Sequence, residues 1–167
     1  MTAATTTEIR FTVWGTPKPR GSKRASLIPK RGGGWVEKNG RPIVVARDDC
    51  VTSKDWMHEV AEAALDAMEG RELITGALIL DAEFFFTRPK SHYGSGRNAE
   101  RLKDSAPVRH TQRPDRDKCL RAVCDALKGI VYRDDSQIDS GGTWKAWTQG
   151  AAHAVITIHC LEGADLC

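Results

Sequence analysis

Apolar and polar residues alternate most regularly over 78–86, where Leu78, Leu80, Ala82, Phe84 and Phe86 share one face and Ile79, Asp81, Glu83 and Phe85 the other. A period of two marks a half-buried strand. A shorter strand is read over 9–14, ending at Gly15. Two other stretches follow the helical period. Leu120, Val123, Cys124 and Leu127 recur at the spacing of one helix face. With Asp117 as N-cap and Gly129 at C′, they predict a helix over 118–128. Thr52 or Ser53 starts an earlier helix that runs to Met68, with Asp55 in a capping-box position and Gly70 past its end. Trp56, Val60, Ala64 and Leu65 are its expected inward positions.

Breakers divide the rest. Pro17, Pro19 and Gly21 make 16–31 a loop, and Asn39-Gly40 is a two-residue hairpin signal between short flanking runs. Pro89, Gly94, Gly96 and Pro107 make 88–112 a long loop, a length usually tied to function or disorder. The segments 137–147 and 151–160 read as two strands forming a hairpin around Gln149-Gly150. The order of strand, hairpin, helix, strand, loop, helix and two strands predicts an α+β fold, a mixed sheet with two main helices packed on it.

Composition narrows the class. A chain of 167 residues suits one domain spanning 1–167, and 40% apolar with 28% charged residues describes a soluble globular protein. No apolar run reaches membrane-spanning length, and 1–8 lacks the pattern of a signal peptide, so a cytoplasmic location is expected. Five cysteines without a C-x-x-C pair argue against a disulfide framework. Net charge is only +3, but it is unevenly spread. Residues 16–31 carry six basic side chains and no acidic one, and 88–113 carry seven against two, whereas 48–83 carry ten acidic against two basic. Two basic loops around an acidic region suit a protein that holds a polyanion, although a solvated basic surface would look similar.

The acidic chemistry concentrates in 113–139. Asp115 and Asp117 lie at the approach to the 118–128 helix, where the dipole is positive, in a segment stiffened by Pro114. Asp134 and Asp135 follow the helix on a turn into the next strand. If strand geometry has begun there, only one of the two can look back at the helix N-terminus, completing a three-carboxylate cluster. Oxygen-only donors from separate elements suit Mg²⁺ beside a substrate phosphate.

These residues carry a resemblance. Pro114, Asp115, Asp117, a basic residue at Arg121, then Asp125, Ala126, Leu127 and Gly129, then Asp134, Asp135, Gln137 and Ile138 resemble the RusA family of Holliday junction resolvases. The resemblance implies a homodimer acting on branched DNA, with Asp115, Asp117 and Asp135 holding catalytic Mg²⁺, for which Mn²⁺ substitutes. Asp134 stands beside them, and Arg121 is the catalytic basic residue. The chain departs at Arg121, where the family usually has Lys, and at Lys118, where it commonly has Asn. A guanidinium stays charged and forked, so phosphate holding survives the exchange better than proton transfer does.

Lys18, Arg20, Lys23 and Arg24 in the first basic loop are read as phosphate contacts, together with Lys118 and Lys145, the last near a position that is often basic in the family. Other side chains have plainer readings. Arg121 could be a helix ion pair between Asp117 and Asp125, Asp81 and Glu83 a solvated strand face, and His153 and His159 ordinary strand residues. Phe84 to Phe86 read as core, with a base-wedging role as the rarer option. Three alternatives to an active resolvase stay open: a junction-binding protein with weak or no cleavage, another Mg²⁺-dependent nuclease of branched DNA, and a nucleotide-sugar transferase using Asp-x-Asp. The nuclease reading requires Asp135 to approach Asp115 and Asp117, within one chain or with a subunit neighbour restoring the arrangement.

Overall fold

The strongest alternation in the chain becomes the centre of the sheet. A computed structural model describes residues 8–21, 23–48 and 53–161. Its elements run β1 (Glu8–Trp14), β2 (Lys23–Leu27), β3 (Glu37–Lys38), β4 (Arg41–Pro42), β5 (Val44–Asp48), α1 (Ser53–Met68), β6 (Leu78–Thr87), α2 (Arg116–Leu127), β7 (Ile138–Ser140), β8 (Thr143–Thr148) and β9 (His153–Cys160). The main sheet has the order β1-β9-β6-β7, with β8 also paired to β6. Strand β9 is antiparallel to both β1 and β6, while β7 and β8 run parallel to β6. The result is the expected α+β architecture with a mixed sheet and two main helices.

The core lies on one face of that sheet. Ile9, Phe11 and Val13 of β1, Leu80, Ala82 and Phe84 of β6, and Ala154, Ile156 and Ile158 of β9 are buried against both helices. Each large side chain removed from water this way contributes about 1.5–3 kcal/mol. In α1 the buried stripe is Trp56, Val60, Ala64 and Met68, each four residues on. Leu65, expected inward, is 57% exposed. It lies one residue, about 100°, around from Ala64 and off the stripe. In α2 the buried face is Cys119, Ala122, Val123, Ala126 and Leu127, with Leu120 and Cys124 at its margins.

Strands β8 and β9 do not form the expected hairpin, because they flank β6 on opposite sides. The link between them folds over the end of β6, where the Thr87 hydroxyl donates to the Gly150 carbonyl at 3.0 Å and the Arg88 amide to the Thr148 carbonyl at 2.9 Å. Nor is 137–147 one strand. It breaks at Gly141, where φ is +155° and a Cβ would stand 1.9 Å from the Leu80 carbonyl oxygen. Only a glycine allows that approach.

The first basic stretch is not wholly a loop. After Gly21 no breaker intervenes until Pro29, and β2 pairs antiparallel with β5. The Asn39-Gly40 hairpin forms between β3 and β4, with φ of +52° and +72°, the positive values a type I′ turn needs. The loop over 88–112 contains two single 3₁₀ turns and a Tyr93–Leu102 bridge. It packs down through His92 and His110, whose rings lie 5.0 and 4.2 Å from that of Trp147. Among the described residues, no helix is long and apolar enough to cross a membrane. Thr52, Cys50, Cys167 and the terminal stretches 1–7 and 162–167 lie outside the described residues.

Candidate functional site

The start of α2 is a corner built by backbone geometry. A cis Arg113–Pro114 bond leads into Asp115, whose extended backbone (φ −67°, ψ 136°) makes it the N-cap. The helix therefore begins two residues before the expected point, and Asp117 sits inside its first turn. The Asp115 carbonyl takes the Cys119 amide at 3.1 Å, while its side chain makes no capping bond. That carboxylate instead accepts from Lys118 at 3.0 Å, and the ammonium lowers its pKa below the ordinary range. Lys118, expected on DNA, is thus paired with Asp115. Asp117 and Arg121 are both exposed, one helical turn apart, and neither side chain has an ion pair or hydrogen bond among the described residues. Asp125, the other suggested partner of Arg121, pairs with Arg20 at 2.9 Å.

Two further elements fasten this corner. From the first basic loop, the Arg20 amide donates to the Lys118 carbonyl at 2.9 Å, so Arg20 anchors the loop on α2 through backbone and guanidinium together. From β8, Lys145 donates to the carbonyls of Gln112 and Pro114 at 2.6 and 2.7 Å. Arg116 donates to the Thr143 carbonyl at 3.3 Å. Lys18 is half-buried, and Lys23 and Arg24 lie in β2 with side chains outside the described set.

The Asp134-Asp135 pair is not at the start of a strand. Asp135–Gln137 is a 3₁₀ turn capped by Asp134, whose side chain takes the Ser136 amide at 3.1 Å. Lys128 pairs with Asp134 as well, and holds its pKa down at about 2. Gln137, the least expected contributor, satisfies its whole amide here. Its oxygen accepts from the Arg133 and Asp134 amides at 2.8 and 2.9 Å, and its nitrogen donates to the Ile74 and Gly76 carbonyls at 2.8 and 3.0 Å. This one side chain ties the turn to the segment that enters β6. The sequence signal was the D-D-x-Q spacing.

The carboxylates also bear on the two thiols of α2. The Cys119 thiol is pushed up to about 12 by burial, against Lys145 and with the help of Asp115 and Asp117. The Cys124 thiol is raised to about 11 by burial first and Asp135 next. Asp135 also reaches the buried Tyr132 phenol, whose hydroxyl donates to the Cys124 carbonyl at 3.1 Å. Five residues of helix separate the two thiols, a rise of about 7.5 Å. Among the described residues, no three His, Cys, Asp or Glu side chains gather closely enough to hold a metal ion. The exposed Asp115 and Asp117 fit a hard cation by donor type, since Mg²⁺ needs only one or two carboxylates beside water and phosphate.

The other side chains weighed from the sequence have structural places. Asp81 accepts the Gly142 amide at 2.6 Å and so serves the crossover into β8. His153 stacks on Phe85 at 4.6 Å, and His159 lies between Glu8 and Asp81 at 3.7 and 4.0 Å. Phe84 and Phe86 are core, whereas Phe85, on the other face of β6, is only half-buried.

Comparison with known proteins agrees with the motif. Residues 17–159 match the family described as endodeoxyribonuclease RusA. The chain is also 32% identical over 130 residues to an uncharacterized protein, YqaN, of Bacillus subtilis (strain 168), covering 78% of this chain and 81% of that one. A match that takes in both helices, the main sheet from β6 onward and the Asp115–Ile138 motif leaves one assignment: the chain belongs to the RusA family of endodeoxyribonucleases.

Proposed function

We propose that the protein is a metal-dependent, structure-selective endonuclease that resolves four-way DNA junctions by paired symmetric cuts, acting as a homodimer in the cytoplasm of a bacterium or a phage-infected host. The observation that carries this reading is the family match over 17–159 joined to an exposed Asp115-Asp117 corner with the exposed Arg121 one turn away. Asp115 and Asp117 would hold Mg²⁺, or Mn²⁺ in its place, with Asp135 as the third carboxylate and Asp134 supporting its turn. A bound divalent ion would supply an activated water and neutralise charge on the scissile phosphate. Arg121 would hold a phosphate oxygen through its forked donors. Lys18, Lys23 and Arg24, and the basic loop over 88–112, would track the backbone of the junction arms.

A second reading, junction binding without cleavage, is favoured by the absence of a three-carboxylate group among the described residues and by Arg and Lys at positions 121 and 118. The transferase reading has no support from the family match.

One assay separates these readings. Purified protein is given a synthetic mobile four-way junction, labelled on two strands, with and without Mg²⁺. Symmetric cuts that need the metal support resolution, and binding without product supports the second reading. Asp117→Asn is expected to abolish cutting and leave junction binding in place; metal-dependent cutting by that variant would refute the site. Asp135→Asn run alongside decides whether the third carboxylate takes part, since normal cutting would restrict the site to the corner pair.

A further inference from the structure

Lys145 is half-buried, and its ammonium is engaged within the chain. The β6–β8 register sets Thr143, Lys145 and Trp147 opposite Ala82, Phe84 and Phe86, which is the core face of the sheet. An ammonium directed to that side must find acceptors, and the two it finds are backbone carbonyls on either side of the cis bond, Gln112 and Pro114, at 2.6 and 2.7 Å. These are two of its three donors. The carbonyls belong to the last residues before Asp115, so they set the direction in which the chain enters α2. Arg116, reaching from the helix back to the Thr143 carbonyl of the same strand, makes the attachment two-ended.

We infer that Lys145 is a positioning residue: it clamps the 112–114 backbone to β8 and thereby orients Asp115 and Asp117. The inference rests on the reading of that corner as the nuclease site, and it assigns Lys145 no contact with DNA. The ammonium acts through backbone oxygens, so its loss changes the rate of the chemical step and not the affinity for the polyanion.

Lys145→Met, Lys145→Gln and Lys145→Arg test this. Methionine keeps the length without a donor, glutamine supplies a shorter amide donor, and arginine supplies several donors to the same carbonyls. Three readouts are taken: single-turnover cutting at saturating enzyme with Mg²⁺, the salt dependence of junction binding in metal-free buffer, and amide hydrogen exchange over 112–119. The rates are expected to rank wild type, Arg, Gln, Met, with Met down roughly a hundredfold, as for a site displaced by about an ångström. Exchange over 112–119 should quicken in the same order while the salt slope stays as in wild type. The ranking of Arg above Gln remains a test even if Met fails to fold. A flattened slope with unchanged exchange would overturn the proposal in favour of a phosphate contact, and so would any other ranking of the rates. If the wild type binds junctions but never cuts them, the nuclease reading fails by itself. Exchange then still decides whether Lys145 holds the corner, with unchanged exchange overturning the clamp.

Discussion

Arg121 departs from the lysine usual at its position in the RusA family, and its surroundings say what it can still do. Its candidate partners are otherwise arranged, Asp125 with Arg20 and Asp117 without an ion pair among the described residues, and Arg121 is exposed one turn from the corner. A planar, permanently charged fork is suited to a phosphate and poorly suited to giving up a proton. Arg121→Lys is therefore expected to cut junctions at least as fast as the wild type. Arg121→Ala should fall by roughly 10² or more in single-turnover rate, the cost of losing one preorganised charge-stabilising donor. A dead lysine variant beside an active arginine would mean that the fork itself, and not the charge, is what this protein uses.

At the level of elements, the loop over 88–112 is held by a buried histidine cluster more than by secondary structure. His110 is 7% exposed, and its ring lies 4.3 Å from Phe86 and 4.2 Å from Trp147. Burial, and then the charge of Lys145, lower its pKa below 6.5. A lowered value means the unfolded chain binds the proton more readily. Its stabilising contribution is thus complete above pH 6.5 and is lost as pH falls below it. The thermal midpoint should drop between pH 7.5 and pH 5.5, and by less in His110→Phe, which cannot take up the proton. Equal drops in the two proteins would show that the cluster does not report on pH. Arg88, which donates to the Pro107 carbonyl at 2.9 Å and lies over Trp147, ties the two ends of the loop into the same cluster. The loop can therefore present Arg97 and Arg101 from a fixed base.

For the molecule as a whole, the proposed substrate sets a symmetry requirement. A four-way junction has two-fold symmetry, so two equivalent cuts call for two sites related by a two-fold axis. If the protein works as a dimer, equal amounts of wild type and Asp117→Asn mixed after exchange of subunits should yield junctions nicked in one strand, detected as products that denaturing gels resolve and native gels do not. Paired cuts in undiminished yield at every mixing ratio would mean that the two incisions do not depend on a shared dimer.

Much of this protein was legible from the order of its side chains. Period-two and period-3.6 patterns are local properties, so β1, β6, both helices and the Asn39-Gly40 turn could be read from neighbours a few residues apart. The Asp115–Ile138 spacing carried the family. Side-chain partners and strand neighbours were not local. The helix began at Arg116 because Asp115, with its extended backbone, caps it, Leu65 missed the core by one position, and β8 joined the far side of β6 instead of pairing with β9. The same holds for the charges. Sequence determined where the acidic and basic groups are concentrated, because that is composition along the chain. Only tertiary structure decided that Arg20 and Lys118 spend their charge on α2 carboxylates, that Lys145 spends its own on two backbone carbonyls, and that Asp135 lies beside Tyr132. A pairing requires two groups to meet in space, and that depends on how separate elements are packed.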